Sequence, residues 1–293
     1  MVNNLGRNST RAFTIWELLC VVSIIALLMA LLLPSLHSAR SRSTSIICSC
    51  TLKQYGIAGI MYLSDNDDTC PDPNEWLFTR KSYRPDHPRG CRWHDQVFSP
   101  HGEIMRTSPE YQGKLWHYFG DGTIYPCPIF RDLDRSKICE NPNHIRSIDV
   151  KPQYNYTMNG YLGTERHGGV VKASQVRDPA TVFYFAEENS WSVRPNHPTF
   201  PARWLYSPLS TKALDDTALF ISPSSPARNC FATYHSPPSG DLNRGSGNVV
   251  FIDGHVQSID AEDQLRDGES YLGPAGNLNW AWPGKLPPPG GWD

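Results

Sequence analysis

The polarity pattern divides the chain near its start. From Leu18 to Leu36 there is no charge, and only Ser23, Pro34 and Ser35 interrupt an apolar run. At 1.5 Å per residue a helix of this length crosses most of a hydrocarbon core of about 30 Å. Ser35 to Ser43 is small and polar, with Arg40 and Arg42. Apolar residues then return at helical spacing, at Ile47, Leu52, Tyr55, Gly59 and Tyr62, flanked by Ile46, Ile57, Ile60 and Met61. No breaker intervenes before Asp65-Asn66-Asp67-Asp68, a stop signal. The pattern predicts one helix from about Thr14 to Ser64, about 75 Å long. Its first half is apolar all round, and Pro34 is tolerated in a membrane span. Its second half is amphipathic and predicts a sheet to lie against.

Beyond residue 67 the chain alternates short β-prone runs with turn clusters. Asn248 to Ile252 and His255 to Ile259 flank Asp253-Gly254, the strongest hairpin signal in the chain and one that predicts a type I′ turn. The expected fold is α+β: a long N-terminal helix, membrane-spanning in its first half, packed on an antiparallel β-sheet head with long loops. The Pro- and Gly-rich tail from Trp282 to Gly291 predicts extended or mobile backbone.

Composition narrows the function classes. At 293 residues with a net charge of −2 and no basic stripe, the chain is not expected to bind nucleic acid. No Gly-rich phosphate loop ending in Lys-Ser/Thr is present. Of eight cysteines, Cys20 lies in the apolar run as a small hydrophobe. The other seven allow at most three intramolecular bridges. No pair has the C-x-x-C spacing of a zinc ribbon, so disulfides in an oxidising compartment are the expected use. Cys70–Cys91 is one candidate bridge.

Glu17 is the feature that separates explanations of the N-terminus. It is the one charge between Ala12 and Leu36, behind a polar leader that carries Arg7 and Arg11. A secretory signal peptide has an apolar region of about 7–15 residues, shorter than this one, and gains nothing from a carboxylate. A simple signal anchor explains the length, but not a charge that is costly at membrane depth. Flanking arginines on both sides leave orientation open.

At Ala12-Phe13-Thr14-Ile15-Trp16-Glu17 the sequence resembles the prepilin motif of the type IV pilins and type II secretion pseudopilins. The resemblance implies cleavage between Ala12 and Phe13 by a prepilin peptidase and N-methylation of Phe13. Glu17 then becomes the fifth residue of the mature chain and Pro34 the twenty-second, both positions the family uses. Ala12 departs from the family's preferred Gly. The implied organisation is a leader at 1–12, a transmembrane and assembly helix at 13–66, and an extracytoplasmic β-rich head at 67–293. Implied partners are other pseudopilins in a homo- or hetero-filament, the prepilin peptidase, an inner-membrane assembly platform and membrane lipid. The implied location is a single pass of the inner membrane with a periplasmic head. In assembly, the α-ammonium of one subunit would pair with Glu17 of its neighbour, selecting register rather than adding much stability. A head-to-tail contact of this kind that does not close makes a helical filament.

Further segments resemble a subgroup of large pseudopilin-like proteins. Cys48-Ser49-Cys50-Thr51-Leu52-Lys53-Gln54 resembles its Cys, two residues, Asn-Leu-Lys-Gln stretch, with Thr51 in place of Asn. Pro126-Cys127-Pro128 resembles its Cys-Pro motif, so the resemblance implies a Cys48–Cys127 bridge. Tyr154 to Gly160 and Asp178 to Glu187 resemble two more segments. The subgroup also has a His, nine residues, then Asp-Gly; here His235 is separated from Asp253-Gly254 by seventeen residues. That insertion puts a shared role for His235 in doubt.

Three other chemistries deserve weighing. Major pseudopilins often hold Ca²⁺ through loop oxygens, and Asp65, Asp67 and Asp68 are hard donors. They lack the Gly and distal Glu of an EF-hand, so a solvated helix-ending turn competes. His235, Asp253 and His255, with Glu187 and Glu188, could form a metal or catalytic cluster, but each is ordinary as a structural residue. Trp191, Trp204, Trp280, Trp282 and Trp292 could stack on a glycan in a displayed binding module, or fill cores. A non-enzymatic structural subunit is the expected role.

Overall fold

In a computed structural model the described residues are 14–79, 109–119, 126–135, 154–165, 168–189, 217–221, 231–238, 242, 244–260 and 281–284, without the side chains of 37, 38 and 132–135. The chain forms two compact units, Met1–Ser43 and Thr44–Asp293. Helix α1, Ile15–Asp65, contains Pro34.

In the first unit, α1 is apolar and exposed on every side. Ile15, Leu18, Leu19, Val22, Ile24, Leu27, Leu31 and Leu33 all lie on its surface. The hydroxyls of Ser23 and Ser35 donate to the carbonyls of Leu19 and Leu32, so the helix satisfies its own polar groups. It is long and apolar enough to cross a membrane. Thr14 caps its start. The Glu17 carboxylate accepts from the Thr14 backbone N–H at 2.9 Å and hydroxyl at 2.8 Å, and Glu17 N–H donates back to Thr14 Oγ1 at 3.3 Å. This reciprocal pair is a capping box.

In the second unit, the remainder of α1 buries Cys48, Leu52, Tyr55, Ala58 and Leu63 along one stripe. That stripe meets a five-stranded sheet of β1 (Tyr156–Asn159), β2 (Phe183–Glu187), β3 (Ala218–Leu219), β4 (Ser246–Phe251) and β5 (Val256–Asp260). The strand order is β3-β1-β2-β4-β5. The α+β architecture expected from the pattern is present. The sheet is mixed rather than wholly antiparallel, because the two-residue β3 pairs parallel to β1. Residues 160–217, which include β2, connect these two strands, long enough for the crossover that parallel pairing needs.

Two glycines set the depth at which α1 packs. A Cβ at Gly56 would meet Val250 Cγ2 at 2.7 Å, and one at Gly59 would meet Tyr184 Cε1 at 2.3 Å. Between helix and sheet lies an aromatic core in which Tyr55 touches Trp76, Phe119, Tyr156 and Phe185. The opposite face of the sheet carries a second core of Phe183, Leu219, Phe231, Val249, Phe251 and Ile259. Both faces are therefore buried over β1 and β2, every residue of which is buried although β1 carries Thr157 and Asn159, while β5 leaves Gln257, Ser258 and Asp260 exposed.

Two local expectations change. The Asp-Gly hairpin joins β4 to β5, but only Gly254 has positive φ, at 87°. Gly254 N–H donates to Phe251 O, and Phe251 N–H to His255 O, so the loop is a three-residue turn closed by a glycine bulge rather than type I′. Trp282 does not lie in a free tail. It is buried against Tyr161, while Ala281 O accepts from the Asn159 amide and Pro283 O from Arg177 N–H. Its indole covers apolar surface that the second face of the sheet would otherwise expose. Residues 285–293 lie outside the described residues.

Candidate metal centre

Four elements converge beneath α1. Cys48 projects from the helix stripe. Cys127 precedes α2 (Pro128–Arg135), its carbonyl accepting from Arg131 N–H as the first helical bond. Glu187 ends β2, and His235 bridges to Ser246 at the start of β4. All four are fully buried. One donor atom from each lies within 4.8 Å of the other three.

The contacts inside this cluster are short. Cys48 Sγ stands 2.9 Å from Cys127 Sγ, and both are free thiols. Cys127 Sγ lies 3.6 Å from His235 Nε2. His235 Nε2 is 3.0 Å from Glu187 Oε1 and 2.9 Å from Oε2. The cluster contacts of the imidazole all run through Nε2, and its buried Nδ1 has no hydrogen-bond partner among the described residues.

A second ring of polar groups fixes these side chains. Glu187 Oε2 accepts from the backbone N–H and side-chain amide of Asn248 at 2.8 and 2.9 Å. Asn248 Oδ1 accepts from Ser49 Oγ at 2.9 Å, which ties the carboxylate back to α1. Asn155 Oδ1 accepts from Cys127 N–H at 2.7 Å, and its amide donates to Tyr234 OH at 2.7 Å. Buried polar groups cost little only when satisfied in this way.

Electrostatics follow from burial. Burial disfavours the His235 imidazolium, but the Glu187 carboxylate and Cys127 thiol beside it prevail and push it up to about 10. Burial, then the Cys48 bond and the Glu187 charge, pushes the Cys127 thiol well above its usual value. Burial and Glu187 likewise keep Tyr156 and Tyr234 neutral.

The sequence candidates distribute unevenly. Cys48, Cys127, Glu187 and His235 come together, and each belongs to a segment that carried the resemblance. Asp253 and His255 do not join them. They pair with each other at 2.6 Å at the hairpin, both partly exposed. Asp65, Asp67 and Asp68 end α1 as a turn, with Asp67 and Asp68 at positive φ. Asp65 accepts from Tyr118 OH and Asp68 from Ser174 N–H, so two of the three carboxylates already have protein partners. Cys70 is buried and free, while Cys91, Ala12 and Phe13 lie outside the described residues. Of the tryptophan set, Trp282 is core, and Trp191, Trp204, Trp280 and Trp292 lie outside the described residues. Asn155 and Asn248 also belong to the site, and no local sequence pattern marks an Asn that serves a distant carboxylate or amide.

No protein-family model, curated protein or solved structure matches this chain. The class that can be stated is an α+β protein with one N-terminal helix long and apolar enough to span a membrane.

Proposed function

We propose that this chain is a pseudopilin-like structural subunit, tethered in the inner membrane by α1 with its head outside the cytoplasm. The observation that carries this reading is Glu17, a lone carboxylate in the first turn of a helix whose apolar surface from Ile15 to Leu36 has no protein cover among the described residues. The subunit is cut before Phe13, and the new α-ammonium and Glu17 link neighbouring subunits in a short filament. Its role is mechanical rather than catalytic, with assembly energy supplied by another protein.

The capping box gives Glu17 a local role, and this must be separated from assembly. Thr14→Ala and Glu17→Ala both remove the reciprocal cap. In the filament reading, Glu17→Ala abolishes cysteine-crosslinked ladders of the subunit in membranes, while Thr14→Ala leaves them. Intact mass of the membrane-extracted protein should begin at methylated Phe13. Equal crosslinking in both variants, or a chain that retains residues 1–12, removes the proposal.

A further inference from the structure

We propose that Cys48, Cys127, Glu187 and His235 bind one divalent transition-metal ion, Zn²⁺ by donor type, as a closed structural centre fastening the Cys48 turn of α1 to the sheet. Two thiolates, an imidazole and a carboxylate form a complete four-donor set for zinc, and soft sulfur with imidazole disfavours calcium or magnesium. With metal–sulfur bonds near 2.3 Å and metal–nitrogen or –oxygen bonds near 2.0–2.2 Å, tetrahedral neighbours stand about 3.2–3.8 Å apart. The present separations of 2.9, 3.6 and 3.0 Å are within 1 Å of that geometry. The sulfurs need only part slightly to admit the ion.

The surroundings fit the same assignment. Metal-bound carboxylates are held by outer hydrogen bonds, and Glu187 Oε2 has two from Asn248, while Oε1 stands 3.0 Å from His235 Nε2. Cys127 lies at the N-terminal end of α2, whose aligned peptide dipoles favour a thiolate. A Cys48–Cys127 disulfide would use only two of the four converging groups. A bound cation uses all four. Complete burial leaves no open coordination position for substrate, so the centre is structural. Sequence spacing has no bearing here, since each ligand comes from a different element.

The centre stands or falls separately from the filament reading, because metal content and N-terminal processing are read by different assays. The full chain is purified in detergent without chelator or reductant, then analysed for metals by mass spectrometry and for disulfides by peptide mapping. The expected result is about one zinc per chain, with Cys48 and Cys127 recovered as thiols after denaturation. Co²⁺ exchange should give thiolate-to-metal charge-transfer absorption. Glu187→Gln, which keeps the shape and the Asn248 contacts, should fold by circular dichroism yet bind Zn²⁺ at least tenfold more weakly. His235→Ala and Cys127→Ser should lose the metal. Recovery of a linked Cys48–Cys127 peptide, with no zinc taken up even after reduction and titration, overturns the proposal. So does full zinc content in the Glu187→Gln and His235→Ala chains.

Discussion

Gly59 of α1 lies against the ring of Tyr184 in β2, so closely that a Cβ there would stand 2.3 Å from Cε1 and 2.8 Å from Cζ. Tyr184 is itself fully buried, with Phe185 stacked on it at 4.3 Å, so the ring has nowhere to retreat. Gly59→Ala would gain about 1 kcal/mol of helix propensity at an open site. Here overpacking costs about 1–3 kcal/mol and wins. Thermal unfolding of the full chain in detergent should show a lower midpoint for Gly59→Ala, and an unchanged or higher one would refute this packing.

Asn155 serves two buried partners at once, the Cys127 N–H and the Tyr234 hydroxyl. Asn155→Ala leaves both without that partner in a dry site, at about 1–3 kcal/mol for each group left unsatisfied. Denaturant titration of the variant should show a midpoint shift with little change in slope. A shift below the error of the measurement would mean the site is wet.

Cys70 is a test of burial by reactivity. Desolvation, with the Asp68 charge assisting and a Gly163 backbone bond opposing, pushes its thiol up to about 12. The thiolate is the nucleophile, so at pH 8 about one thiol in ten thousand is reactive. In reduced, folded protein Cys70 should resist iodoacetamide while the exposed Cys50 labels readily. Mass mapping over a time course decides; equal labelling of the two contradicts the fold around residue 70.

The hairpin carries a small acid-sensitive contribution. Burial alone would raise the Asp253 carboxyl, but the His255 backbone and ring bonds, aided by the His255 and Lys53 charges, bring it below its usual value. A carboxyl lowered in the folded state stabilises above its unfolded value and loses that contribution as pH falls through its folded one. The pair is more than a third exposed, so solvent screening holds its worth below about 1 kcal/mol. Asp253→Asn should be slightly less stable than wild type at pH 7, and the gap should close in acid, below the ordinary carboxylate range. A gap that persists in acid would assign the effect to shape instead of charge.

Much of this architecture is written locally. The apolar run from Leu18 to Leu36, the return of apolar positions from Ile47 to Tyr62 and the stop at Asp65 fix one helix, because helical periodicity needs only neighbours within a few turns. Asp253-Gly254 fixes a hairpin for the same reason, although which turn forms depended on Asp253 keeping a negative φ. Tertiary packing decided the rest. That β3 runs parallel to β1, that Trp282 packs on Tyr161, and that Cys48 meets Cys127, Glu187 and His235 all join segments far apart in the chain, and no spacing rule reaches that far. Contacts of that range exist because burying both faces of the sheet brings distant segments together, and a pattern read along the chain carries no record of which ones meet.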